Sequence, residues 1–479
     1  MSAERGASAA LQLAVLIAYA LLLVGYGVWV GRRVRASGTF FVADRGLGAG
    51  LTFSTFLAAN IGAGSIIGAS GLGYRTGLSA WWWVGSAGIG SLLLALWAGP
   101  RIWRVARAHG LYTAGDYLEH RYGTAVRGVV ASLLWVLTLV LLAGQLIAMS
   151  QILEWVLGTP RWLGALVGGL VMTAYFTAGG LLSSARVNAV QLVVLLGGMA
   201  VAVPWALARA GGWEAVVAAA PANPAYLDFF ASSGVVYVAL IVPAFIVSPG
   251  LLQKAYGAAD ERALRVGVGA QAVVLMAFAL VPALLGMIAR VYAPALEQTE
   301  LAVPTVLTLG LPAGVGALAL AAVFSAEVST ADAILFMLST SLSKDIYQRY
   351  VRPRASDADV LAVARGAAVA GGALGVLLAV VIPTVIASLT AFYAVLGVSL
   401  FVPVVAGLHS RRPGVPEALA AIAAGVAVLV AVRLSGLPAR SPLLDPTLLG
   451  ILGSGLAFAL AFALRRRAPG RAAARAPDT

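Results

Sequence analysis

Two stretches of this chain carry polar chemistry at depths where hydrocarbon is expected. The first runs from Ala58 to Gly73 and reads Ala-Ala-Asn-Ile-Gly-Ala-Gly-Ser-Ile-Ile-Gly-Ala-Ser-Gly-Leu-Gly. Each glycine costs about 1 kcal/mol relative to alanine in a helix interior, so no unbroken helix is expected through Gly62 and Gly64. In hydrocarbon a freed backbone group costs several kcal/mol unless it faces protein, water or an ion. A helix interrupted at mid-membrane therefore offers bare carbonyls to a cation and half-helix ends to a solute. The second stretch, 313–342, holds Ser325, Glu327, Ser329, Thr330, Asp332, Ser339, Thr340 and Ser341. Ionisable side chains at that depth cost about 2.5–3.5 kcal/mol each on insertion scales and read first as functional. Hydroxyls with bare carbonyls suit a hard, weakly held monovalent cation. A lone Ser or Thr more often bonds back to its own helix.

The elements that must position these groups are membrane helices. The chain has 479 residues, 61% of them hydrophobic and 11% charged, against about 25% charged in soluble domains. That length holds about thirteen spans of roughly 20 residues. They are expected at 10–30, 47–73, 80–99, 128–156, 162–177, 187–208, 234–252, 266–289, 313–342, 366–382, 385–408, 418–434 and 447–464. With an outside amino terminus, 25 of the 32 Lys and Arg fall on one side. The positive-inside rule accounts for this asymmetry, which makes nucleic acid an unneeded explanation of the +13 net charge. The expected location is a cell membrane, plasma or inner, with the carboxyl terminus cytoplasmic. Lipids are the surroundings, and no obligate protein partner is evident.

A second interruption, at Pro243 and Ser248-Pro249-Gly250, sits in the span 234–252. Interrupted spans in corresponding places point to an inverted-repeat transporter. The expected division is a flanking span with a basic loop (1–46), a first five-helix repeat (47–208) and a second, inverted one (234–408). Two terminal spans (409–464) and a disordered basic tail (465–479) follow. Pro100 to Tyr122 reads as a basic interfacial helix anchored by Trp103. Trp81-Trp82-Trp83 reads as an aromatic belt, or as a source of one ring lining a vestibule.

An enzyme is disfavoured. The chain has no cysteine, and His109, His120 and His409 all lie in polar segments, so no nucleophile–base pair or metal cluster is expected within the spans. A sensor is disfavoured by the want of an output domain. The reading left is a secondary active transporter. Proton coupling through Glu327 or Asp332 is the alternative to a metal cation, since a desolvated carboxylate can titrate.

Several motifs together resemble the sodium/solute symporter family, whose members include sodium/proline, sodium/pantothenate and sodium/glucose symporters. They are Ala58-Ala59-Asn60-Ile61 with Gly68 to Tyr74, and Leu111-Tyr112-Thr113 through Arg121-Tyr122-Gly123. Tyr175 with Gly179-Gly180 up to Gln191, and Ser329-Thr330 through Lys344-Asp345-Ile346-Tyr347, complete the set. The resemblance spans roughly residues 10–465. It implies a LeuT-type fold, an all-α integral membrane protein with a 5+5 inverted-repeat core and two broken helices. It implies sodium-coupled symport of a small organic solute by alternating access. It also implies a sodium ion held by the backbone oxygens of Ala58, Ile61 and Ala326 and the hydroxyls of Ser329 and Thr330.

Departures from the family pattern add expectations. Many members carry an acid at the position of Asn188, serving a second sodium site in some of them. Here Asp332 replaces a hydroxyl of that site, as if the charge had crossed from one helix to its neighbour. Asp332 and Asn188 are thus a possible second cation or proton site. Glu327 lies about 140° from Asp332 around the helix and serves another surface. Where sugar symporters present Gln and Glu, this chain has Ser65, Val84 and Thr390, which disfavours a polyhydroxylated sugar. The candidate pocket is Asn60, Ser65, Trp83, Ser248, Glu327 and Thr390. No buried basic residue is expected to clamp a carboxylate there, though a half-helix amino terminus can hold an anion.

Overall fold

The computed structural model describes residues 2–32, 37–382, 384–436 and 444–467. Along it run α1 (Ser2–Gly31), α2 (Ala49–Asn60), α3 (Ala69–Thr76), α4 (Trp81–Leu93), α5 (Gly99–His109) and α6 (Ala114–Tyr122). Then come α7 (Thr124–Leu157), α8 (Arg161–Arg209), α9 (Tyr237–Val247), α10 (Pro249–Tyr256), α11 (Glu261–Phe278) and α12 (Leu280–Tyr292). The rest are α13 (Ala302–Leu309), α14 (Ala313–Thr340), α15 (Asp357–Val381), α16 (Val385–His409), α17 (Val415–Leu434) and α18 (Pro446–Arg467). Eleven segments are long and apolar enough to cross a membrane, and Arg161–Ala174 is a shorter apolar one. The polar groups inside this architecture are positioned by two sets of helices.

Four crossings form a bundle: α2 and α3 pack on α11 and α12, and α4 packs on α9 and α11. A scaffold forms separately from α7, α8, α14 and α15, each touching the other three. α1 lies against α8 and α14, and α17 pairs with α18 outside the bundle. Both interrupted helices belong to the bundle. α2 stops at Asn60 because Ile61 is extended (φ −107°, ψ 101°), and the chain re-enters through a π-helical turn at Gly64–Gly68. α9 stops at Ser248 (φ −55°, ψ 120°), and Pro249 opens α10 at a position where its missing N–H costs nothing.

Several local expectations are corrected. Spans 162–177 and 187–208 are two helical stretches of α8 that meet at Gly180, whose backbone is not helical (φ 56°, ψ −148°), so the second begins earlier than expected. A Cβ there would also fall 2.6 Å from Phe40. The segment from Pro100 to Tyr122 is two helices, not one, because Gly110 terminates α5 in the left-handed conformation. Thr113 then caps α6 through a reciprocal box with Asp116. Trp103 is no membrane anchor: it is buried and donates its indole N–H to Ala258 O at 3.1 Å. α18 extends through Arg467, so the tail does not begin at 465; residues 468–479 lie outside those described, as do the side chains of Tyr175 and Gly179.

Candidate functional site: a cation cage at a helix break

The carbonyls released where α2 ends each find a defined partner. Leu57 O accepts from Ile61 N at 3.1 Å, and Asn60 O accepts from Ser65 Oγ at 2.6 Å. Ala58 O and Ile61 O are met from the scaffold. Thr330 Oγ1 donates to Ala58 O at 3.0 Å and to Ile61 O at 2.9 Å. Ser329 Oγ donates to Ala58 O and to Ala326 O, both at 3.0 Å. Five oxygens thus converge: three carbonyls and two hydroxyls, all on residues at least nine-tenths buried. They are the five that the family resemblance implies. The other hydroxyls of α14 behave as ordinary helix residues. Ser325 bonds back to Ala321 O, Ser339 and Thr340 to Phe336 O, and Ser343 to Ser339 O.

The donor set fits a hard monovalent cation. Every ligand is a neutral oxygen, and each hydroxyl can turn its proton away and offer a lone pair. A cation at about 2.4 Å from each oxygen sets neighbouring ligands about 3.4 Å apart at right angles. The observed 2.9–3.0 Å spacings thus need to open by about 0.4 Å. Gly62 makes this approach possible. A Cβ there would lie 2.3 Å from Thr330 Oγ1 and 2.7 Å from Gln145 Oε1. Gln145, which the sequence reading missed, accepts from Ala63 N at 2.9 Å and braces the break from α7.

Beside the cage lies a central cavity of about 60 Å3. Phe245, Phe392, Tyr393, Leu141 and Met337 give it apolar walls; its polar lining is Asn60, Gln145, Ser248, Lys254 and Thr330. Asn60 Nδ2 is buried with no hydrogen-bond partner. Of the six pocket candidates, only Asn60 and Ser248 line this cavity. Ser65 is spent on the helix break. Trp83 stands a layer back, edge-on to Tyr237 at 4.9 Å and tilted against Tyr393 at 6.3 Å. Trp81 and Trp82 donate their indole N–H groups to Met276 O and Phe229 O, so this run ties α4 to α11 and to the loop at Phe229 rather than forming a free belt. Thr390 is half-buried off the cavity. Glu327 is fully buried off the cavity, and neither of its carboxyl oxygens has a hydrogen-bond partner.

Lys254 corrects the expectation of no buried base. It is 1% exposed, and its ammonium donates to Thr55 O at 3.1 Å and Thr55 Oγ1 at 2.7 Å. The sequence hid it because the span was ended at Leu252, which turned Lys254 into a loop charge. The apolar run continuing to Tyr256 was the available signal.

Two polar clusters close opposite ends of the core. At one, Arg127 pairs with Asp345 and Asp116 at 2.8 Å and with Glu119 at 2.6 Å. Thr113 donates to Asp345 at 2.6 Å. Two motifs more than 200 residues apart are therefore one structure. Burial pushes the Glu119 carboxyl up, but bonds to Arg127 and Thr124 and the charge of Arg349 outweigh it and hold the group below its usual range. At the other end Glu300 accepts from Val385 N and Ile386 N at 3.3 and 3.2 Å, capping α16, and from Gln151 at 3.3 Å.

The family model described as "Sodium:solute symporter family" matches residues 40–425. The chain belongs to that family. The symporter is 27% identical over 476 residues to the sodium/pantothenate symporter of Escherichia coli, covering 91% of this chain and 94% of that one. It is 26% identical over 418 residues to the sodium/glucose cotransporter of Vibrio parahaemolyticus, covering 73% and 71%. A solved Na+-coupled sialic acid symporter superposes with a TM-score of 0.78 at 15% identity, covering 95% of this chain and 98% of that one. The nucleobase-cation symporter Mhp1 superposes at 0.63 and 13%, covering 90% and 95%. These likenesses show the fold, a LeuT-type inverted-repeat core. The symporter is a multi-pass secondary active transporter rather than an enzyme, and it couples sodium to movement of a solute.

Proposed function

We infer that the symporter binds one sodium ion among Ala58 O, Ile61 O, Ala326 O, Ser329 Oγ and Thr330 Oγ1, and carries a compact, largely apolar solute into the cell. The carrying observation is the two hydroxyls of α14 reaching three carbonyls across the bundle–scaffold seam. An ion there ties α2 to α14 and favours the conformation in which they touch. The cavity next to it offers few polar groups to a polyol. Its unpartnered Asn60 Nδ2 suits one hydrogen-bond acceptor on an otherwise apolar body.

In this reading the protein sits in a cell membrane with its amino terminus outside, which the basic-loop asymmetry favours. The Arg127 cluster then lies on the cytoplasmic side and Glu300 on the outer side. Residues 47–208 and 234–408 are the two inverted repeats, and the bundle and the scaffold, each drawn from both, rock against each other. Linkage makes the coupling reciprocal: sodium raises solute affinity by the factor by which solute raises sodium affinity. The test is thermal unfolding of the purified protein in sodium against potassium at equal ionic strength, followed by a solute screen in sodium. A sodium-specific shift that Ser329→Ala removes supports the site. Equal behaviour in the two salts overturns it.

A further inference from the structure

We propose that a basic pocket between α5, α6 and the carboxyl end of α16 binds the phosphate of an anionic phospholipid of the cytoplasmic leaflet. The site lies apart from the sodium cage and the central cavity. It rests on the reading above only for the orientation in the membrane.

The pocket has a volume of about 270 Å3, and Arg101, His120, Arg121, His409 and Arg411 line it. α5 supplies Arg101, α6 supplies His120 and Arg121, and Arg411 follows the end of α16 at His409. No carboxylate is in the lining. The acids nearest in sequence are engaged elsewhere: Asp116 and Glu119 pair with Arg127, and Glu417 pairs with Arg465. One negative feature does need cover. The last carbonyls of α16 carry roughly half an elementary charge. Arg121 meets them, donating from Nε to Gly407 O at 2.9 Å and from a terminal nitrogen to Ser410 O. Two guanidinium groups are left over. Arg101 donates to Trp97 O on its own helical run at 3.2 Å. The Arg411 side chain makes no hydrogen bond or ion pair among the described residues.

Like charges are thus gathered in one place. The His109 and His120 rings lie 4.1 Å apart. Partial desolvation, and then the charges of His109, Arg121 and Arg411, hold the His120 imidazole below its usual range. Charges that serve topology alone gain by spreading through water. A cavity that collects them offers them to an anion. Guanidinium forks match phosphate oxygens, and basic pockets between helices on the cytoplasmic side take phospholipid headgroups.

The surroundings point to a lipid as the source of that phosphate. α4 runs into α5 through a π-helical turn, Leu94–Ala98. Leu93 and Leu96 are 39% and 58% exposed and precede Arg101 by about two turns or less. Trp97 lies between them and the arginine, its ring 5.6 Å from that of His409. Tryptophan favours the level of the headgroups. An acyl chain on the leucines therefore brings its phosphate to Arg101. Val105 and Leu408 add an apolar lining that a hydrated free phosphate does not use. α5 and α16 make little direct contact, so a phosphate held between them is a bridge. Because α16 also supplies Phe392 and Tyr393 to the central cavity, membrane charge acts on a helix that walls it.

The experiment is thermal unfolding of the purified symporter in potassium buffer, in phosphatidylcholine-containing micelles titrated with phosphatidylglycerol. The wild type is expected to gain a saturable stabilisation from phosphatidylglycerol that added phosphatidylcholine does not give. Arg101→Gln/Arg411→Gln is expected to raise the midpoint of that titration about 30-fold. Arg262→Gln/Arg354→Gln removes two exposed charges outside the pocket and is expected to leave it unchanged. Equal stabilisation by the two lipids overturns the proposal. So does an equal loss in the second double variant, which marks a diffuse surface field. Inorganic phosphate that reproduces the shift in phosphatidylcholine alone also overturns it and assigns the pocket to a soluble anion. If the first double variant does not fold, Arg411→Gln decides: a midpoint raised about fivefold supports the site, and an unchanged one overturns it.

Discussion

Thr330→Val removes one oxygen from the cage and keeps its shape. The lost hydroxyl touches two of the three carbonyls, at 3.0 and 2.9 Å; Ser329 Oγ still reaches Ala58 O, but no other group of α14 reaches Ile61 O. A bond to a charged partner is worth about 1.5–3 kcal/mol. That weakens sodium binding by roughly 13- to 160-fold, at about 1.4 kcal/mol per tenfold. A ligand specific for the folded state stabilises by RT ln(1 + [L]/Kd). At a hundredfold excess over the wild-type Kd, sodium therefore stabilises the wild type by about 2.7 kcal/mol. The same concentration gives the variant only about 0.3–1.3 kcal/mol. The assay is thermal unfolding in sodium and in potassium at matched ionic strength, with Ser325→Ala as control. Ser325 carries the same hydroxyl three residues before Val328 but bonds to Ala321 O and Tyr19, so its variant keeps the full sodium shift. If Thr330→Val keeps the wild-type shift, the cage is not where sodium binds.

Other perturbations follow from the same contacts. Gly62→Ala pushes a methyl into Thr330 Oγ1 and Gln145 Oε1 and is expected to abolish the sodium shift while leaving helix content by circular dichroism unchanged. Arg127→Met strands three carboxylates that share one guanidinium and is expected to cost about 3–5 kcal/mol, measured as a lowered melting temperature in either salt. Glu119 has a depressed folded-state pKa, so the stability it contributes is complete above its unfolded pKa and is lost as pH falls through the folded value. Glu119→Gln should accordingly flatten the acid limb of the stability profile. Glu300→Gln replaces a charged cap on α16 by a neutral one and is expected to speed labelling of a cysteine placed at Ser65 by a membrane-impermeant reagent, without altering the sodium shift.

The sequence made the cage legible because its chemistry is backbone chemistry. Glycines at 62 and 64 forbid a continuous helix, and the polar load of the span 313–342 marks its partner, within which the family resemblance singles out Ser329 and Thr330. Neither signal needs tertiary knowledge. The central cavity was less legible because its walls are common residues. Phe245, Phe392 and Tyr393 look like ordinary core until three helices bring them together, and Ser65 looked available until Asn60 O claimed it. Lys254 was concealed by a boundary drawn four residues early. Arg127 was concealed because a basic residue at the start of a span reads as topology, whereas three carboxylates from α6 and the end of α14 enclose it.

One physical pattern links these sites. A group placed entirely within the bundle, or entirely within the scaffold, contributes the same energy however the two are arranged, and so cannot couple binding to motion. The cage takes Ala58 and Ile61 from the bundle and Ala326, Ser329 and Thr330 from the scaffold. Sodium affinity therefore falls when the seam opens at that level, and binding resists the opening by the same free energy. Gln145 works across the same seam, from α7 to the backbone of the break. The break in α2 is what lets its backbone take part. A continuous helix would keep the carbonyls of Ala58 and Ile61 within its own ladder, and sodium would have no bundle-side oxygens with which to hold the two halves together.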